Sequence, residues 1–171
     1  MPDPLPFDPV ERAGRSWEQH YPEAGEPVYA AMRAVTSIMR AQQILLAGLD
    51  AALKPFNLTF SRYEALVLLT FSSTGALPLS KVGERLQVHA TSVTNVIDRL
   101  EASGFVRREP NPRDGRGTLA VITDSGRDVT RRATEELHTL RFGLQGLDPS
   151  DLDSLFTTLR RLRADAGDFS V

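Results

Sequence analysis

The chain has 171 residues, a formal net charge of −2, 25% charged side chains and no cysteine. That length permits one ordinary domain with a real core. The missing cysteines exclude disulfides and thiol sensing, and the slightly acidic balance argues against indiscriminate nucleic-acid binding. With no run of about 18 apolar residues and no basic-then-apolar start, a soluble cytoplasmic protein that does not engage membrane is expected.

Residues 1–27 form an extension punctuated by Pro2, Pro4, Pro6, Pro9, Pro22 and Pro27. Its first ten residues are expected to be poorly ordered. Residues 10–21 are expected to form a short helix bearing Trp17. A tryptophan left in water is unfavourable, so Trp17 should pack on the body or on a partner subunit, or cover a ligand pocket. Over 28–54 the apolar residues Val28, Met32, Val35, Met39, Leu45, Leu46, Leu49 and Leu53 recur at three- and four-residue steps. Pro27 suits the first helical position and Pro55 the stop. Such a helix would be about 38 Å long, which is long for so small a domain and points to a face buried against another subunit.

Ser61 and Glu64 have the spacing of a capping box opening a very apolar helix, which Gly75 would end. Residues 77–79 read as an extended segment. Ser80 is read as the N-cap of a short helix carrying Val82 and Leu86, followed by a turn at 88–90. The next helix, 91–103, has Val93, Val96, Ile97 and Leu100 on one face and Gly104 at its end. Its opposite face carries Thr91, Ser92, Thr94, Asn95, Asp98 and Arg99. Short polar side chains with one arginine can lie in a major groove and hydrogen-bond to base edges and phosphates. An ordinary solvated helix face would read the same way on these residues alone.

Two strands follow, 105–109 and 118–122, around a Pro- and Gly-rich loop carrying Arg113, Asp114 and Arg116. Arginines at a hairpin tip suit entry into a minor groove, with Asp114 placed to brace Arg116. A solvated surface hairpin is the plainer alternative. Between Ser80 and Arg116 seven cationic side chains stand against five acidic ones, so the local charge has the sign a DNA-facing module needs. Thr123 then caps a long helix over about 124–144, with Val129, Ala133, Leu137, Leu140 and Leu144 on its stripe. Gly146 and Pro149 mark a break before a last helix carrying Leu152, Leu155, Phe156, Leu159 and Leu162.

The expected fold is therefore mainly α with a small β-hairpin wing, a winged helix-turn-helix over 60–123. Helices from both chain ends, 28–54 and 124–166, would form a dimerisation region. Apolar faces on those helices exceed what the small reader can cover, so a homodimer is inferred. A two-fold dimer would set two recognition helices about 34 Å apart and so bind a near-palindrome.

The segment 93–106, joined by the loop Arg113-Asp114-Gly115-Arg116 and by 122–126, resembles the MarR family of bacterial transcription regulators. The resemblance covers roughly 28–166. Asn111 stands where the family usually has an aspartate, and Gly115 where an arginine is common. It implies a sequence-specific DNA-binding regulator, a ligand-responsive repressor acting on double-stranded DNA, with a pocket for a small aromatic or phenolic effector. A urate-responsive subgroup places a tryptophan, an acidic residue and two arginines at that pocket. By motif this chain supplies Trp17, Glu64 and Arg107, but has Val96 at the recognition-helix arginine. The rival reading is a winged helix used for protein contact without DNA.

His20, His89 and His138 are scattered, and no P-loop, Gly-x-Ser-x-Gly or dinucleotide-binding glycine pattern occurs. Neither an enzyme, a metal nor a cofactor is expected. All three histidines are read as structural or surface residues, with His89, which opens the recognition helix, the one expected to be able to touch a phosphate.

Overall fold

The computed structural model describes residues 4–112, 114 and 117–170. In chain order its helices are α1 (Pro9–His20), α2 (Glu26–Leu53), α3 (Phe60–Phe71), α4 (Leu79–Leu86), α5 (Ala90–Ala102), α6 (Asp124–Thr139) and α7 (Pro149–Asp165). The strands are β1 (Ala76–Pro78), β2 (Val106–Pro110) and β3 (Thr118–Ile122). Short 3-10 turns follow α2 and α6. The mainly helical fold with a small hairpin is the one expected. By contacts the chain divides into two compact units, Met1–Gly48 and Leu49–Val171.

In the first unit the Asp8 carboxylate caps α1 by accepting from the Val10 amide at 2.8 Å. Gly14 gives α1 room to approach α2, because a Cβ there would stand 3.1 Å from Cδ of Arg33. The Arg33 guanidinium then bridges Glu18 at 2.8 Å and Glu26 at 2.6 Å. The Tyr29 hydroxyl donates to the Tyr21 carbonyl at 2.7 Å. Within this unit Trp17 is 40% exposed, one side against the Tyr21 ring at 5.0 Å. One helical turn separates the two rings, so Tyr21 covers only part of the indole.

The second unit holds the main core. Leu53, Leu66, Leu69, Ile97, Leu100 and Leu137 are fully buried and come from α2, α3, α5 and α6. Each such side chain contributes about 1.5–3 kcal/mol by leaving water. The sheet order is β1-β3-β2, antiparallel throughout, with Pro78 opposite Leu119 and Val106 opposite Ile122. The expected extended segment thus becomes the third strand.

Four local expectations are corrected. Ser61 does not cap α3; Thr59 occupies the N-cap and makes no side-chain cap bond. Instead Asp50 of α2 accepts from the Phe60 amide at 2.7 Å. Ser80 lies inside α4, because pairing of β1 with β3 runs directly into the helix and makes Pro78 its N-cap. α3 ends at Phe71, and Gly75, at φ 68°, turns the chain into β1. α6 stops at Thr139, because Arg141 and Phe142 adopt φ of 44° and 53° and reverse the chain before Gly146.

Candidate functional site

α5 is the centre of the candidate site. Val93, Ile97 and Leu100 are buried on one side, and Val96 is half-buried. Thr91, Ser92, Thr94, Asn95, Asp98 and Arg99 are all exposed on the other. The structure therefore brings together the six polar residues singled out on this helix. His89 is the N-cap, its Nδ1 accepting from the Thr91 amide at 3.4 Å. The helix begins at Ala90, one residue earlier than its pattern predicts. The Thr94 hydroxyl donates back to the Ala90 carbonyl at 3.1 Å, which leaves its lone pairs outward.

The approach to α5 is set by α4. Its C-cap Gln87 is left-handed at φ 51°, and Gly83 lies under Val93, whose Cγ2 would be 3.0 Å from an added Cβ. A side chain at Gly83 would push the two helices apart.

At the far end of α5, Gly104 at φ 73° turns the chain into β2. Thr123 locks this corner. Its amide donates to the Phe105 carbonyl at 3.0 Å, and its hydroxyl donates to the Gly104 carbonyl at 2.7 Å. The same hydroxyl accepts from the Gly126 amide at 3.0 Å. Gly126 must lack a side chain, since a Cβ there would stand 2.1 Å from the Phe105 carbonyl oxygen. The sequence Thr123-Asp124-Ser125-Gly126 thus anchors the hairpin to the start of α6.

The hairpin loop closes through the Asn111 amide on the Gly117 carbonyl at 2.9 Å and the Gly117 amide on the Asp114 carbonyl at 2.8 Å. Asp114 is exposed. Arg113 and Arg116, the expected minor-groove residues, lie outside the described residues.

Strand alternation separates the two arginines of β2. Val106 is buried, so Arg108 shares its face, towards α5. Arg107 lies on the opposite face and pairs with Glu109 at 2.6 Å. Arg108 bridges Asp98 at 2.6 Å and Glu101, and its amide donates to Glu101 at 3.0 Å. Sequence reading missed this cluster. Its signal is the alternation Val106, Arg108 taken with the i,i+3 spacing of Asp98 and Glu101.

A second feature lies between α3 and α6. A cavity of about 690 Å³ is walled by Phe60, Tyr63, Val67, Leu68, Phe71 and Phe142. Arg85, Arg127, Arg131 and His138 also line it, as does Glu64. Burial pushes the Glu64 carboxyl above its usual range. The Tyr63 hydroxyl is held by Thr134 at 2.9 Å. Of the three residues the subgroup resemblance implied, Glu64 lines this cavity. Arg107 is absent from its lining, and Trp17 belongs to the other unit. Among the described residues no cluster of His, Cys, Asp or Glu is arranged to hold a metal, and no helix is long and apolar enough to cross a membrane.

Residues 60–118 match the model of the MarR family. A MarR family transcriptional regulator from Streptomyces coelicolor, Sco5413, is 57% identical, with a TM-score of 0.78 over 86% of this chain and 100% of that one. Sco3205 from the same organism, solved in complex with DNA, is 26% identical with a TM-score of 0.71 over 78% of this chain and 88% of its own. The HTH-type transcriptional regulator YkoM of Bacillus subtilis is 35% identical over 104 residues, 60% of this chain and 67% of that protein. The helix-turn-helix, its anchored hairpin and these relatives agree: the chain belongs to the MarR family of transcriptional regulators.

Proposed function

We propose that this protein is a cytoplasmic repressor, not a catalyst, that binds a near-palindromic operator as a homodimer and releases it when a small aromatic or phenolic molecule enters the α3–α6 cavity. One observation carries the reading. From Thr91 to Glu101 every exposed residue of α5 is polar while its inward face is fixed in the core, and Thr123 and Gly126 hold the hairpin beside it. In this reading Thr91, Ser92, Thr94, Asn95 and Arg99 meet the major groove. Asp114 braces the loop whose arginines, Arg113 and Arg116, reach the minor groove.

Dimerisation is supported by apolar side chains left in water in a single chain. Val35, Ile38 and Met39 on α2 are exposed, and so are Leu155, Phe156 and Leu162 on α7. α7 has no buried residue. Helices 28–54 and 124–166 would supply the paired scaffold, and 60–123 the reader. The cavity supports the effector: its volume of about 690 Å³ suits a small ligand. Aromatic walls fit a ring, and the arginines fit an acidic or phenolic substituent. Arg107, absent from the lining, would join the ligand only by moving to it.

The test is a titration of the protein against duplex from upstream of its own coding region, at several salt concentrations. Affinity should fall steeply with salt, and Asn95→Ala and Arg99→Ala should each cost roughly 1–3 kcal/mol. A protein that retained no duplex at low salt would instead be a winged helix used for protein contact.

A further inference from the structure

We infer that Arg108 is a positioning residue for DNA recognition, clamping the C-terminal half of α5 to the hairpin and neutralising Asp98 and Glu101 without itself touching DNA. The inference rests on the DNA-binding reading above, and concerns how α5 is held and charged.

The geometry is specific. Nη2 of Arg108 meets Oδ1 of Asp98 at 2.6 Å, and Nη1 meets Oε2 of Glu101. The backbone amide of Arg108 donates to the other oxygen of Glu101 at 3.0 Å. One strand residue thus grips α5 at two points, three residues apart, on one flank of the helix. The side chain of Arg108 is only 26% exposed, against 53% for Asp98. Both terminal nitrogens are therefore committed to the protein. Despite the burial that opposes them, the ion pairs raise the guanidinium's pKa above its ordinary value. By contrast, Arg99, next to Asp98 on the helix, makes no ion pair among the described residues and is exposed.

Charge makes the clamp necessary. Asp98 stands one turn beyond Asn95 on the face assigned to the groove. An uncompensated carboxylate there would repel phosphate and lower operator affinity. Arginine, with its rigid planar fork, can satisfy two carboxylates at once, which a lysine point charge cannot do in the same geometry. The clamp also stops α5 from rolling against β2, so helix and hairpin meet the duplex as one body.

The experiment is a charge-removal cycle read by fluorescence anisotropy, using the full chain, duplex from upstream of its coding region and a series of salt concentrations. Arg108→Met should weaken binding at least about tenfold, the scale of one base-specific contact. The triple variant Asp98→Asn, Glu101→Gln, Arg108→Met should return to within about threefold of the parent, with the parent's salt dependence, since no phosphate contact is lost. Arg108→Lys should fall between parent and Arg108→Met, again with the parent's salt slope, and covers the case in which the triple variant does not fold. If the triple variant shows a salt slope shallower by about one, or Arg108→Lys binds as tightly as the parent, a phosphate contact and not the two-carboxylate clamp explains Arg108 and the inference is overturned. Unchanged affinity in Arg108→Met also overturns it while leaving the DNA-binding reading intact. A parent protein that binds no duplex removes both.

Discussion

The carboxylate of Asp50, near the end of α2, accepts a hydrogen bond at 2.7 Å from the backbone amide of Phe60, the first residue of α3. A helix start normally needs an acceptor at its own N-cap, and Thr59 makes no such bond. Asp50 therefore caps α3 from another helix and fixes the angle between the end of α2 and the cavity wall. Asp50→Ala should lower stability by about 0.5–2 kcal/mol, the usual cost of a lost cap. Urea denaturation would show it as a lower midpoint with an unchanged slope.

Gly126 is a steric requirement of the hairpin anchor. An added methyl would meet the Phe105 carbonyl oxygen at 2.1 Å and Cγ1 of Ile122 at 2.9 Å. Backbone must shift, so Gly126→Ala should cost roughly 1–3 kcal/mol or more. Thermal melting followed by circular dichroism checks it, and a melting point equal to the parent's would refute the anchor.

Glu64 gives a stability term that depends on pH. Burial raises its folded-state pKa, so the folded chain favours the protonated carboxyl. The stability associated with that proton is complete below the unfolded value of about 4.3 and is lost as pH rises through the folded value. Glu64→Gln, permanently neutral, should therefore melt above the parent at pH 7. The gap should close as the solution is acidified towards about pH 4. A gap independent of pH would place the cause elsewhere.

Phe156 is 61% exposed on α7, a helix with no buried residue. If that face pairs with a second copy, Phe156→Glu should shift the sedimenting species from dimer to monomer. The far-ultraviolet circular dichroism should not change, because a substitution exposed in the single chain alters its fold stability by no more than about 0.5 kcal/mol. A parent protein that already sediments as a monomer would count against the paired scaffold.

The repressor reading and the helix boundaries differ in how much of them the residues alone could carry. The apolar repeat Val93, Ile97, Leu100 dictated both that α5 is a helix and which side enters the core. Because a helix has a fixed period, the same repeat placed Thr91, Thr94, Asn95 and Arg99 outward. Gly104 likewise announced the turn and Thr123 the start of α6, since glycine adopts a left-handed conformation without strain and threonine caps a helix. That Gly126 lies against the Phe105 carbonyl was visible only in the folded chain. What the chain order could not supply was anything set by partners distant in sequence. Asp50 displaced the expected Ser61 cap, the β1–β3 ladder moved the start of α4, and a left-handed pair at Arg141 and Phe142 shortened α6. Arg108 is one of the seven cations between Ser80 and Arg116, and its pairing with Asp98 and Glu101 emerges only with β2 laid against α5. Local periodicity is a property of one segment and can be read there. Caps, clamps and cavities depend on which segments meet, and only the packed chain decides that.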